Sequence, residues 1–153
     1  MTLEALNEFV RDMRTALELF PESGKLSLSD GQIAQFAQFY EDMLEKNQVM
    51  NLTGITERRE VIVKHYIDSL LPTCLLPDFP KPGTRLLDLG SGAGFPGIPL
   101  AIAFPNLQLT LMDSLNKRIV YLTDEIVKLG LQNHTEALHA RAEELARQGG
   151  QRE

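Results

Sequence analysis

At 153 residues, with a formal net charge of −6, 43% hydrophobic and 24% charged content, the chain has the makeup of one globular domain rather than of a disordered or fibrous segment. The acidic balance excludes a binder that grips nucleic acid by overall charge, because such proteins neutralise phosphates with Lys and Arg; a local basic patch stays open. Cys74 is the single cysteine, so neither a disulfide nor a cysteine metal cluster forms within one chain.

The apolar runs fall well short of the roughly 18 residues that a membrane span needs. "MTLEALNEFVRDMR" is amphipathic and acidic, where a signal peptide is basic and then apolar. A cytoplasmic protein without membrane contact is expected.

Residues 3–20 set Leu3, Leu6, Phe9, Val10, Met13, Leu17 and Phe20 at three- and four-residue spacing, the signature of a helix with one buried face. Pro21 stops it. "PESGKLSLS" reads as a loop, and Ser29 with Gln32 three residues on resembles a capping box. It opens a second helix carrying Ile33, Phe36, Ala37, Tyr40, Met43 and Leu44. "NQVMNLTGIT" breaks the periodicity, and Thr56, followed by Glu57 and Glu60, predicts the start of a third helix that Pro72 ends. At helical spacing Val61, His65 and Asp68 share one face of it, with Lys64 beside them.

From residue 83 the grammar changes. "TRLLDLG" predicts a strand, "PGIPLAIAF" a short helix, "LQLTLMD" a strand closed by an acid, "NKRIVYLTDEIVKLGL" a helix, "HTEALHA" a third strand and "RAEELARQ" a final helical turn or two. Strands alternating with helices build a parallel sheet with right-handed crossovers. The glycines after the first strand then lie at the carboxyl edge of that sheet, where open α/β folds bind ligands.

Two readings compete for "DLGSGAGFPG". Gly92, Gly94 and Gly97 satisfy G-x-G-x-x-G, the dinucleotide fingerprint, with Asp113 downstream for a ribose hydroxyl. The other uses Gly90, Gly92 and Gly94 with Asp88 two residues before them, as the turn of S-adenosylmethionine-dependent methyltransferases is written. A pyrophosphate beside Asp88 would face like charge, roughly 4 kcal/mol for unit charges 4 Å apart at an effective dielectric near 20. An ammonium and a sulfonium would not, so Asp88 favours S-adenosylmethionine. In either reading Asp113 suits the ribose diol, and glycine lets the backbone approach the ligand.

"LLDLGSGAGFPGIPLAIAFP", "LTLMDSLNKRIVYL" and "LHARAEELAR", with "NLTGI" and "VIVKHYIDSLLP" upstream, resemble the bacterial small-subunit ribosomal RNA guanine-N7 methyltransferases, the glucose-inhibited division protein B family. The likeness runs from about Asn47 to Arg147. It implies an α/β fold in which a helical region, 1–72, precedes the first half of a Rossmann-like methyltransferase sheet, 73–153, with three parallel strands, the whole forming one compact unit. It places Gly90 and Phe95 at the cofactor, Asp113 on the ribose, Ala142 and Glu143 beside the adenine, and Asp88 near the methionine end. Members of that family are longer and continue into a fourth strand bearing a serine-arginine-alanine string. Truncation is therefore expected, and with it an unpaired sheet edge that invites self-association.

The implied reaction is transfer of a methyl group from S-adenosylmethionine to guanine N7 in small-subunit ribosomal RNA, free or in the assembled subunit. N7 already carries an in-plane lone pair, so no general base and no catalytic side chain is expected; positioning does the work. Asn51, Thr53, His65, Asp68 and Ser69 are candidates to orient the RNA or its purine, against the reading that they form a turn and a local hydrogen bond. Arg58, Arg59 and Lys64 are candidates for phosphate contact, with Lys117 and Arg118 next, against an ordinary solvated face. His134 and His139 receive no role, and three scattered histidines make no metal site. The remaining alternatives are a methyltransferase of a small molecule or protein, and a non-catalytic nucleoside-binding module.

Overall fold

The computed structural model describes residues 1–22 and 26–150, with the side chains of Ala142 and of residues 148–150 outside the description. The middle of the "PESGKLSLS" loop thus lies outside the described residues. Helix α1, Leu3–Leu17, starts where Thr2 accepts the Ala5 N–H and buries Phe9, Met13 and Ala16. Helix α2, Asp30–Met50, opens on the full capping box, Ser29 to the Gln32 N–H and Gln32 back to the Ser29 N–H. Asn51 ends it in the left-handed region at φ 51°.

The third helical stretch departs from the sequence reading in two respects. It opens at Arg58, because the carboxylate of Glu57, rather than Thr56, accepts the Glu60 N–H. It is also not uniformly wound: α3, Arg58–Val61, passes into a π-wound Ile62–Ile67, then α4, Asp68–Leu70, and a 3₁₀ turn, Leu71–Leu75, with Pro72 in its first turn. The wider π turn breaks the α-helical face. Val61 is buried in the core while Lys64 and Asp68 are exposed.

Strands β1, Arg85–Leu89, β2, Gln108–Asp113, and β3, Thr135–His139, form a parallel sheet in the order β1-β2-β3. Helices α5, Gly97–Ala103, and α6, Asn116–Lys128, are the crossovers, and α7, Ala142–Gly150, follows β3. The arrangement is the expected α/β one of helices followed by three parallel strands. Register pairs Asp88 with Leu111, and Asp113 with His139. Leu109 and Leu111 face the helices and are buried, while Leu87, Leu89 and Leu138 are exposed.

One core joins the N-terminal helices to the sheet layer, running from Phe9 through Phe36, Tyr66 and Ile98 to Leu122 and Ile126. Tyr66, fully buried, stacks on Phe39 at 5.6 Å and lies 5.0 Å from Phe36; ring pairs of this kind contribute about 0.5–1.5 kcal/mol each beyond burial. Two glutamines of α2 fix its register on the sheet layer. Gln32 donates to Ile102 O at 2.9 Å, and Gln35 to Leu129 O at 2.6 Å, satisfying carbonyls that helix ends leave open. No helix among the described residues is long and apolar enough to cross a membrane.

Candidate cofactor and substrate site

The turn after β1 is held by backbone bonds before any ligand is considered. Gly90 and Ser91 both donate to Met112 O, each at 2.9 Å, which folds the chain over the end of β2. Gly94 donates to Ser91 O at 2.8 Å, and the Ile98 N–H to Gly94 O at 2.7 Å, which leads into α5. Gly90, Gly92 and Gly94 all have positive φ. At Gly97 the constraint is space instead: a Cβ there would stand 1.9 Å from Leu111 Cδ2 and 2.8 Å from Asp88 Oδ2.

Asp88 and Asp113 close the two strands and do different work. Asp88 is 8% exposed and turns inward, where Oδ2 accepts the Gly97 N–H at 3.0 Å. Burial pushes its carboxyl above the usual range; bonds from Ser91 and Gly97 offset part of that, and the charge of Asp113 adds to it. Asp113 is 3% exposed; Oδ1 accepts the Leu115 N–H at 2.9 Å and Oδ2 the Gly92 N–H at 3.0 Å, with Arg118 at 3.5 Å. Burial alone would raise its pKa, but the two amides and Arg118 outweigh it and hold it below the usual carboxylate range.

Two cavities open around this turn. The first, about 420 Å³, is lined by Gly90, Met112, Asp113, Ser114, Arg141 and Glu143 among others, within the size range of small-ligand sites. The second, about 510 Å³, gathers Lys64, His65, Asp68 and Ser69 with the apolar walls of Leu86 and Phe95. Phe95 divides its allegiance from the other turn residues: its ring stacks on His65 at 4.3 Å and 11°, so it walls the second cavity. Thr53 Oγ1 lies 2.9 Å from His65 Nε2 and accepts the Ile55 N–H. Burial lowers the His65 pKa, with Asp68 opposing, so the ring is neutral at pH 7.

The sequence-derived residues therefore separate. Gly90, Asp113 and Glu143 share one cavity; Lys64, His65, Asp68 and Phe95 share the other, with Thr53 touching His65. Gly92 and Gly94 shape the turn. Ala142 begins α7, and its side chain is outside the described ones. Asp88 is an internal clamp on the start of α5 because the Gly97 N–H needs an acceptor there. Asn51 caps α2, its N–H returning to Asn47 O. Arg58 bonds to Asp12 at 2.8 Å and Glu8 at 3.0 Å, tying α3 to α1, while Arg59 is 74% exposed.

Sequence reasoning missed Arg141, Ser114 and His139. His139 Nε2 lies 2.9 Å from Ser114 O and so braces the rim of the first cavity. The available signal was the register itself, since parallel pairing sets the end of β3 beside the end of β2.

The first cavity suits the nucleoside part of S-adenosylmethionine. A Cβ at Gly90 would meet nothing within 4 Å, so this backbone is open to a ligand, and Asp113 and Glu143 supply acceptors for hydroxyl or amine donors. Two carboxylates on the wall disfavour a pyrophosphate there.

A family model described as rRNA small subunit methyltransferase G matches residues 32–152. Curated relatives named "Ribosomal RNA small subunit methyltransferase G" include that of Lachnoclostridium phytofermentans, 49% identical over 90% of this chain and 55% of its own length. Those of Ligilactobacillus salivarius, 48% identical over 83% of the chain and 51% of the relative, and of Pediococcus pentosaceus, 47% over 76% and 47%, are similar. The chain spans about half the length of the curated relatives it matches.

Proposed function

We propose a function from one premise: this chain belongs to the rRNA small subunit methyltransferase G family. The proposed activity is S-adenosylmethionine-dependent methylation of a guanine N7 in small-subunit ribosomal RNA, in the cytoplasm, on free RNA or on the assembled subunit. The observation that carries it is the cavity at the carboxyl edge of the sheet, in which Gly90, Asp113 and Glu143 meet.

In this reading Asp113 and Glu143 hold the nucleoside and Gly90 admits it against the backbone. When bound, the cofactor supplies an electrophilic methyl group for in-line displacement by the N7 lone pair. Lys64, His65 and Asp68 orient the RNA at the second cavity, with Thr53 fixing the His65 ring. Asp88 acts from within, by holding the turn on α5. No side chain has a proton to remove from N7, so alignment provides the acceleration.

The test is tritium transfer from S-adenosylmethionine to small ribosomal subunits and to their naked RNA, beside calorimetry with S-adenosylhomocysteine. Label in either RNA substrate supports the activity. Tight binding with no transfer to any RNA would leave a nucleoside-binding module, and label in a small molecule or protein alone would redirect the substrate class.

A further inference from the structure

Behind the glycine turn, α6 lies against α2, and the contact contains an acid with no ordinary partner. Glu125 is 2% exposed. Its Oε1 and the Oδ2 of Asp42 are both shut off from solvent, and neither accepts a hydrogen bond from any donor among the described residues. Asp42 Oδ1 is already taken by the side-chain amide of Gln38, at 2.8 Å. Asp42 and Glu125 border the same small cavity between α2 and α6, and two ionised carboxylates, both acceptors only, cannot bond to each other there.

The surroundings do not neutralise the pair by charge. Lys46 on α2 and Lys128 on α6 border the contact, but neither forms an ion pair with Glu125 or Asp42 among the described residues. The other titratable groups that face Glu125 are acids: Asp42 and Glu45 from α2, Tyr121 and Asp124 from α6, and the buried Tyr66 of the π-wound segment. Tyr121 stands one helical turn before Glu125, and its buried hydroxyl donates to Ala93 O, inside the glycine turn, at 3.4 Å.

We propose that Glu125 is a neutral carboxylic acid donating its proton to Asp42, and that this shared proton fixes α6 on α2 so that Tyr121 supports the glycine turn from behind. Glu125 and Tyr121 are then positioning residues. Burial, the bond to Asp42 and the charge on Asp42 push the Glu125 carboxyl up to about 9, so the pair carries one proton at neutral pH. Its loss leaves two like charges buried together, and the least costly response is to part α6 from α2. The consequence for ligand binding rests on reading the turn as the S-adenosylmethionine site; the proton does not.

Glu125→Gln keeps a donor facing Asp42 in nearly the same shape and cannot ionise. Thermal unfolding of the wild type and E125Q is compared from about pH 5 to 10. The folded-state pKa lies above the ordinary 4.5, so the proton-linked stability is whole below that value and is lost as pH rises through about 9. The wild-type folded-to-unfolded ratio should fall relative to E125Q by up to about tenfold per pH unit across that window. Parallel curves would overturn the shared proton. The carbonyl ¹³C shift of Ala93 tests the positioning: it should move with the same titration in the wild type and stay still in E125Q and in Tyr121→Phe. A wild-type shift that does not move overturns that role. Calorimetry with S-adenosylhomocysteine on the same samples should show affinity falling several-fold above pH 9 in the wild type alone. Equal pH dependence in E125Q counts against positioning, whereas no binding at any pH sinks the cofactor reading and leaves the other two measurements to decide on Glu125.

Discussion

Gly92 donates its backbone N–H to the Asp113 carboxylate across 3.0 Å, so the acid that ends β2 also holds the glycine turn that follows β1. Asp113→Asn sets an amide NH₂ or a lone carbonyl oxygen where two acceptors are needed, for Leu115 and Gly92 together. One buried backbone donor is left unsatisfied, at a cost of about 1–3 kcal/mol. Urea unfolding should show that loss, and S-adenosylhomocysteine affinity should fall at least about tenfold. Unchanged affinity with lowered stability would confine Asp113 to a structural role.

The acids at the ends of β1 and β2 predict opposite pH dependence. Asp113 is held below its unfolded value, so its stabilisation is present above the ordinary carboxylate pKa and is lost as pH falls through the lower folded one. Asp88 is raised, so its proton-linked stability is present below the ordinary pKa and is lost as pH rises through the higher folded one. Relative to the wild type, D113N should therefore recover toward acid pH, and D88N should gain as pH rises above the ordinary carboxylate range. Stability curves of both variants that run parallel to the wild type would refute the assignment.

Gly97→Ala and Gly90→Ala separate packing from ligand access. A Cβ at Gly97 meets the Leu111 side chain and the Asp88 carboxylate, and overpacking of this kind costs about 1–3 kcal/mol or more. At Gly90 nothing is met, and the cost is the positive φ of 73°, about 1–2 kcal/mol. Gly90, however, lines the first cavity. G97A should lose more stability, while G90A should lose more affinity for S-adenosylhomocysteine than its stability change explains. The reverse ranking would mean that the cavity is not the ligand site.

The fold was legible to the degree that local chemistry decides it. The capping box at Ser29 and Gln32 and the strand-glycine-helix alternation after residue 83 are short-range patterns, and the helices and three parallel strands follow them. The π-wound Ile62–Ile67 was not legible, because its residues have ordinary helical spacing, while Tyr66 within it packs among Phe9, Phe36 and Phe39 of other helices. Asp88 and Asp113 look alike in sequence, each an acid ending an apolar strand. Only the path of the turn decides that one turns in to Gly97 and the other lines a cavity. The pairing proposed for Glu125 and Asp42 joins residues far apart in the chain: its spacing from Leu122 and Leu129 puts Glu125 on the buried face of α6, but no local pattern says that Asp42 of α2 borders the same cavity.

Basic residues adjacent in sequence carry different loads here, which sharpens the RNA prediction. Arg58, 27% exposed, is bound to both Asp12 and Glu8; Arg58→Ala should cost on the order of 1–3 kcal/mol by loosening α3 from α1. Arg59 points outward, in loose contact with Asp12 at 3.6 Å, and Lys64 makes an exposed helical pair with Glu60 at 3.1 Å, an interaction of well under about 1 kcal/mol. Both are thus available to phosphates at little cost in stability. Arg59→Ala with Lys64→Ala should leave thermal unfolding almost unchanged, weaken binding of small-subunit RNA, and reduce the slope of log affinity against log salt by up to about 2, one for each phosphate that is no longer neutralised. An unchanged slope in the double variant would move the RNA-binding face elsewhere, to Lys117 and Arg118 at the start of α6 and Arg141 on the wall of the first cavity, where the same measurement on their alanine variants would then show it.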